Sequence, residues 1–109
     1  MTRYVLVIEG TRDMLVRESW SFLRLAVRKW AGHDLPSNTE VGLVLSNDTT
    51  GHRLLPMSAL STHARSQVSG NIPFTPGDSH SAACLHCGIR QALDVSFKNP
   101  WHDESRSQG

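Results

Sequence analysis

The chain has 109 residues, room for one small domain that buries roughly two thirds of the surface its unfolded form exposes. Eleven basic against ten acidic residues give a net charge of +1 with no long charge run, which excludes a field strong enough to direct it to nucleic acid or an anionic membrane. No stretch approaches the roughly 20 apolar residues of a membrane span, and the start lacks the small-residue cleavage site of a secretory signal.

Tyr4-Val-Leu-Val-Ile8 is apolar throughout and rich in β-branched residues, the composition of a parallel strand buried on both faces and central in its sheet. It stops in a cluster of oxygen-bearing side chains: Glu9, Thr11 and Asp13. From Asp13 to Ala31 the apolar residues Val16, Trp20, Leu23, Val27 and Trp30 recur at helical spacing, with Phe22 and Ala26 widening the stripe. Arg17, Glu18, Ser21, Arg24 and Arg28 make a solvated face. Gly32 suits the left-handed position that closes such a helix.

His33 to Asn38 reads as a loop, since Pro36 disfavours helix before it. Val41-Gly-Leu-Val-Leu45 is a second buried strand parallel to the first, giving a β-α-β unit. The Ser46 to Gly51 turn then returns the chain into a short antiparallel edge strand over His52 to Leu55. Ser58 is placed to cap a helix carrying Leu60, Ala64 and Val68 and ending at Gly70-Asn71. Ile72 to Gly77, with two prolines, is a loop. A last helix runs through Cys84, Leu85, Ile89, Ala92 and Leu93. Residues 1–98 thus make one domain, and the polar tail 99–109 is expected to be disordered.

In open α/β sheets, ligands sit beyond the carboxyl ends of the strands. Glu9, Thr11 and Asp13 fall there. Strand, acid, hydroxyl, second oxygen donor, Met14, then a long helix: this order resembles the start of a von Willebrand factor type A domain. That family's metal-ion-dependent adhesion site opens with Asp-x-Ser-x-Ser. Glu40 to Asn47 is similar to the family's second strand, and Ile72-Pro73, Pro76-Gly77 and Cys84 to Ile89 are similar to its later loop and helix start. The pattern is most similar to the A domains of calcium-activated chloride channel regulators, over residues 3 to 96.

The resemblance implies a Rossmann-like, doubly wound α/β sheet, here incomplete, with three strands in the order 3-2-1 and three helices. It also implies a non-enzymatic protein-interaction module, extracellular or associated with the plasma membrane, binding a protein ligand at the carboxyl edge of the sheet. Mg²⁺ or Ca²⁺ is the implied cation. A hard divalent ion such as Mg²⁺ takes about six oxygen ligands, which suits short carboxylates and hydroxyls with one place open for a partner's carboxylate. Here the site is degenerate. Glu9 is a methylene longer than the family's acid, Asp13 replaces a hydroxyl, and Ala83 stands where the family has threonine. Asp78, Ser79 and Ser81 are the available substitutes, and Arg12 is placed to neutralise Glu9 or Asp13 without a metal. The strand that would bring a third acid is not in the sequence, so a truncated product without independent function is the alternative. In that case the open edge of the first strand favours self-association.

Cys84-Leu-His-Cys87 allows a disulfide, a redox pair or half of a zinc site with His80, His86 or His102. Two cysteines do not fix the redox compartment, and the simplest account of them is two small packed side chains, or a local disulfide if the chain is exported. There is no Gly-x-Ser-x-Gly elbow, no His-Glu-x-x-His and no phosphate-binding glycine loop, so no familiar enzyme motif is present.

Overall fold

The computed structural model describes residues 2–97. Three strands, β1 (Thr2–Glu9), β2 (Thr39–Ser46) and β3 (Gly51–Ala59), form one open mixed sheet in the order β1-β2-β3. β1 and β2 are parallel, with Tyr4 opposite Val41, Leu6 opposite Leu43 and Ile8 opposite Leu45. β3 returns antiparallel, and its pairing with β2 shifts register around Leu43. Three helices complete the α/β fold: α1 (Ser19–Lys29), α2 (Thr62–Gln67) and α3 (Leu85–Phe97).

The pleat of β2 sends successive side chains to opposite faces, and both faces are covered. On one, Val41 and Leu43 join Ile8 of β1, Trp20 and Val27 of α1, and Leu60, Val68 and Ile72 in a single buried cluster. On the other, α3 crosses all three strands. Gly88 is what lets it approach, because a Cβ there would stand 2.8 Å from Val7 Cγ1 and 2.9 Å from Ser46 Cβ. Val95 of α3 faces Gly42, where a Cβ would stand 2.9 Å from Val95 Cγ1.

β2, not β1, is therefore the central strand. β1 has a neighbour on one side only among the described residues, so of its apolar run only Ile8 is buried and Tyr4 is exposed. An apolar β-branched run is equally the signature of a half-covered edge, which is why composition alone misplaces it. Tyr4 is still used: its ring meets Trp30 edge-on at 5.5 Å between centroids.

The segment expected as one helix from Asp13 is broken. Arg12–Glu18 forms a tight 3-10 turn that is interrupted where Val16 is extended and Arg17 and Glu18 adopt φ of 55° and 60°. Left-handed backbone at two successive non-glycine residues costs roughly 1–2 kcal/mol each. It turns the chain, so Val16 leaves the stripe and is exposed. α1 proper begins at Ser19, whose hydroxyl donates to the Val16 carbonyl at 2.7 Å.

At the other end, Gly32 is not left-handed but lies inside a widened π-type turn, Trp30–Asp34. The carbonyls of Ala31 and Leu35, at and just past that turn, accept from Arg65 Nη1 at 3.2 and 2.6 Å. A side chain from α2 does the closing that a left-handed glycine was expected to do.

Two further expectations move. Ser58 lies in β3, which is longer than the sequence suggested, and the cap of α2 is Ser61, whose Oγ accepts from Ala64 N at 3.2 Å. On α3, Leu85, Ile89 and Leu93 are exposed, and the packed face is instead that of Gly88 and Val95. The most apolar stripe of α3 is not the one that fits the sheet most closely. The tail 99–109 lies outside the described residues.

Two shielded polar atoms lack a partner among the described residues, Thr39 Oγ1 and Arg24 Nε. Thr39, 1% exposed at the start of β2, has its Oγ1 shielded and unbonded. An unsatisfied buried hydroxyl costs about 1–3 kcal/mol, so Thr39→Val, of the same shape, is expected to be neutral or up to about 1 kcal/mol more stable by urea denaturation. A loss above about 1 kcal/mol would show that the hydroxyl does find a partner.

Candidate functional site at the carboxyl edge of the sheet

β1 and β2 end side by side at Glu9 and Ser46. Three connections meet beyond them: residues 10–18, 47–50 and 72–84. Backbone bonds fasten them together. Gly10 N donates to Ser46 O at 2.7 Å, Arg12 N to Ser79 O at 2.9 Å, and Cys84 N to Asn47 O at 2.6 Å. Ser46 Oγ, nearly fully buried, donates to Cys84 O at 2.6 Å and closes the link between β2 and the start of α3.

Within the expected motif, Thr11 Oγ1 donates to Glu9 Oε2. Thr11 is only 1% exposed, so its oxygen faces the protein and not solvent. Asp13 is exposed at the start of the 3-10 turn, and Met14 packs against the core. Arg12 forms no ion pair with Glu9 or Asp13; the described ion pairs include Arg3 with Glu40 and Lys29 with Asp34, both across partly or fully exposed groups. The loop is held by backbone amides, not by the Arg12 guanidinium. Ser79 and Ser81 bond chiefly to each other, with Ser81 N donating to Ser79 Oγ at 3.3 Å. Ala83 is half-buried and offers no ligand.

Between these connections lies an open cleft of about 330 Å³, lined by Gly10, Asn47, Asp48, His52, Asp78 and Ser79 among others. Asp78 and Ser79 are where the sequence places substitutes, whereas Asn47, Asp48 and His52 carry only turn and edge-strand signals in the sequence. Their signal was position: they follow β2 on the same edge as Glu9. Asn47 Oδ1 accepts from the amides of Thr49 at 2.9 Å and Thr50 at 2.8 Å, an Asx turn that fixes the loop. Its Nδ2 stands 3.0 Å from His52 Nε2, which also meets Thr50 Oγ1 at 2.8 Å. The cleft thus presents two exposed carboxylates and a held imidazole, a surface able to accept hydrogen bonds and cationic groups.

Cys84 and Cys87 are joined by a disulfide at the start of α3. His86 lies beside them, and this is the one place among the described residues where three His, Cys, Asp or Glu ligand atoms converge, all within 4.8 Å. Glu9, Asp13 and Asp78 form no such group. His80 and its neighbours add no ligand there, and His102 lies outside the described residues. The chain matches no family model and no curated protein. No helix among the described residues is long and apolar enough to cross a membrane.

Proposed function

We propose that the chain is a non-enzymatic protein-interaction module of the von Willebrand factor type A kind, related to regulators of calcium-activated chloride conductance, with its binding face at the carboxyl edge of the sheet. The observation that carries this reading is the convergence of the Glu9–Thr11 loop and the Asp78–Ser79 loop, tied by Arg12 N to Ser79 O. Parallel strands bring an acidic loop and a second polar loop to one edge, which is where open α/β sheets bind ligands.

The metal site is degenerate in this reading. The buried Thr11 hydroxyl is directed at Glu9, so a cation would have to displace an existing bond and expose a shielded oxygen. Calorimetric titration with Mg²⁺, Mn²⁺ or Ca²⁺ at millimolar concentration is expected to give no heat. Proximity labelling with the full chain should identify a partner set that is lost in an Asp78→Lys variant and survives chelation. Equal labelling by both proteins would remove the edge as the binding face; labelling abolished by chelator would overturn the degenerate site.

A second reading is favoured by the Cys84–Cys87 disulfide with His86 beside it: thiol-disulfide chemistry at a helix start. Its requirement is that a thiol reductant exchanges with the disulfide and that Cys87→Ser abolishes turnover. The uncovered side of β1 also makes self-association a part of the proposal, read by size exclusion as a concentration-dependent shift.

A further inference from the structure

A second cleft, larger than the one at the sheet edge, lies elsewhere. It lies between α1 and the α2 segment, has a volume of about 480 Å³, and is lined by Ser21, Arg24, Arg28, Ser66, Ser69 and Gly70, with Leu25 at one wall. Arg24 and Arg28 stand one helical turn apart on α1 and so project on the same side. Neither forms an ion pair among the described residues, and no acid is among the residues lining the cleft. Two guanidinium groups and the serines Ser21 and Ser69 therefore line a common space with no acid among its lining residues, while the Ser66 hydroxyl donates to the His63 carbonyl at 2.8 Å.

Arg24 is also held in place. Its guanidinium carbon lies 5.0 Å from the centre of the exposed Phe74 ring, within cation–π range. Its Nε is shielded from solvent and bonded to nothing. An unmatched buried donor is a cost of about 1–3 kcal/mol, so Arg24 is a poor choice for packing alone. A guanidinium at the wall of a cleft, a second one turn away and a hydroxyl donor opposite suit a tetrahedral oxyanion.

We infer that this cleft binds a phosphate monoester, with Arg24 and Arg28 pairing its oxygens and Ser69 donating from the other side. The volume exceeds that of the phosphate group, and Leu25 in the lining offers apolar surface beside it, so an organic ester fits better than inorganic phosphate. This site is separate from the carboxyl edge and does not depend on the function proposed there.

The test is an amide NMR titration of the full chain at fixed ionic strength, with glycerol 3-phosphate in one arm and inorganic phosphate in the other. Saturable shifts are expected at Ser21, Arg24, Arg28, Ser66, Ser69 and Gly70, with the ester binding more tightly than phosphate. Arg28 is exposed and unpaired, so Arg28→Gln keeps the fold and should weaken binding at least about tenfold, the worth of one charge-assisted pair. Arg24→Gln should do the same, and the double variant should show no saturable shift. Tighter binding of inorganic phosphate would assign the site to the free ion and overturn the ester. Shifts that do not saturate, that are equalled by chloride at the same ionic strength, or that persist unchanged in Arg28→Gln would overturn the site itself.

Discussion

Gly51→Ala is expected to lower the melting temperature sharply, while Gly32→Ala leaves it unchanged or raises it. A Cβ on Gly51, at the start of β3, would stand 2.5 Å from the Cys87 carbonyl oxygen and 3.0 Å from its carbon. These are backbone atoms in the first turn of α3, and no rotamer change removes them. The helix must move off the strand, or the turn 47–50 must open. Overpacking of this kind costs typically about 1–3 kcal/mol. For a domain of this size each kcal/mol moves the midpoint by roughly 4–8 °C.

At Gly32 a Cβ meets nothing within 4 Å, and the backbone is not left-handed. Alanine there restricts the unfolded chain and is worth up to about 1 kcal/mol. The pair discriminates between two accounts of the chain. If Gly32 closed α1 in the left-handed conformation that its position suggests, alanine would be the damaging change there. A Gly51→Ala variant within about 0.5 kcal/mol of the parent in chemical denaturation would contradict the seating of α3 against β3.

The elements that could be read from the residues are those whose pattern depends on neighbours in sequence. β2, the loop 72–77 and the pairing order of the strands follow from apolar runs and turn formers, and they stand where expected. What could not be read depends on distant partners. β1 is an edge because nothing among the described residues lies beyond it, and Tyr4 to Ile8 carry no mark of that. The break at Val16 to Glu18 uses two ordinary residues in a left-handed conformation, which no glycine or proline announces. The face of α3 was misjudged because Gly88 contributes nothing to an apolar stripe, yet its lack of a side chain is what decides the contact with Val7 and Ser46.

The candidate site divides in the same way. Glu9, Thr11, Asp78 and Ser79 were found because they lie in or next to loops that follow strands or precede a helix start. Asn47, Asp48 and His52 were missed because a turn rich in such residues has a sufficient local explanation, so its place on the functional edge went unread. The placement of Arg24 and Arg28 against Ser66 and Ser69 joins segments about 40 residues apart and has no sequence signature at all.

Trp20 carries the other large expected effect, because it holds α1 and the candidate site together. It is 3% exposed within the main cluster, and its Nε1 donates to the Pro73 carbonyl at 2.9 Å. The ring belongs to the same buried cluster as Ile8 and Ile72, while the bond fixes the start of the connection that carries Asp78 and Ser79 to the sheet edge. Trp20→Ala removes both and should cost about 3–5 kcal/mol in chemical denaturation, a large part of the roughly 5–15 kcal/mol that a domain of this kind has in total. Trp20→Phe keeps most of the apolar volume but leaves the Pro73 carbonyl without its donor, for a loss of about 1–3 kcal/mol. The two variants separate packing from anchoring. In Trp20→Phe the amides from Phe74 to His80 should exchange faster with solvent while those of β2 keep their protection, since the loop is released before the core opens. Faster exchange in β2 as well would mean that the indole acts by packing alone. A cost below about 1.5 kcal/mol for Trp20→Ala would show that α1 is not anchored to the sheet through this side chain.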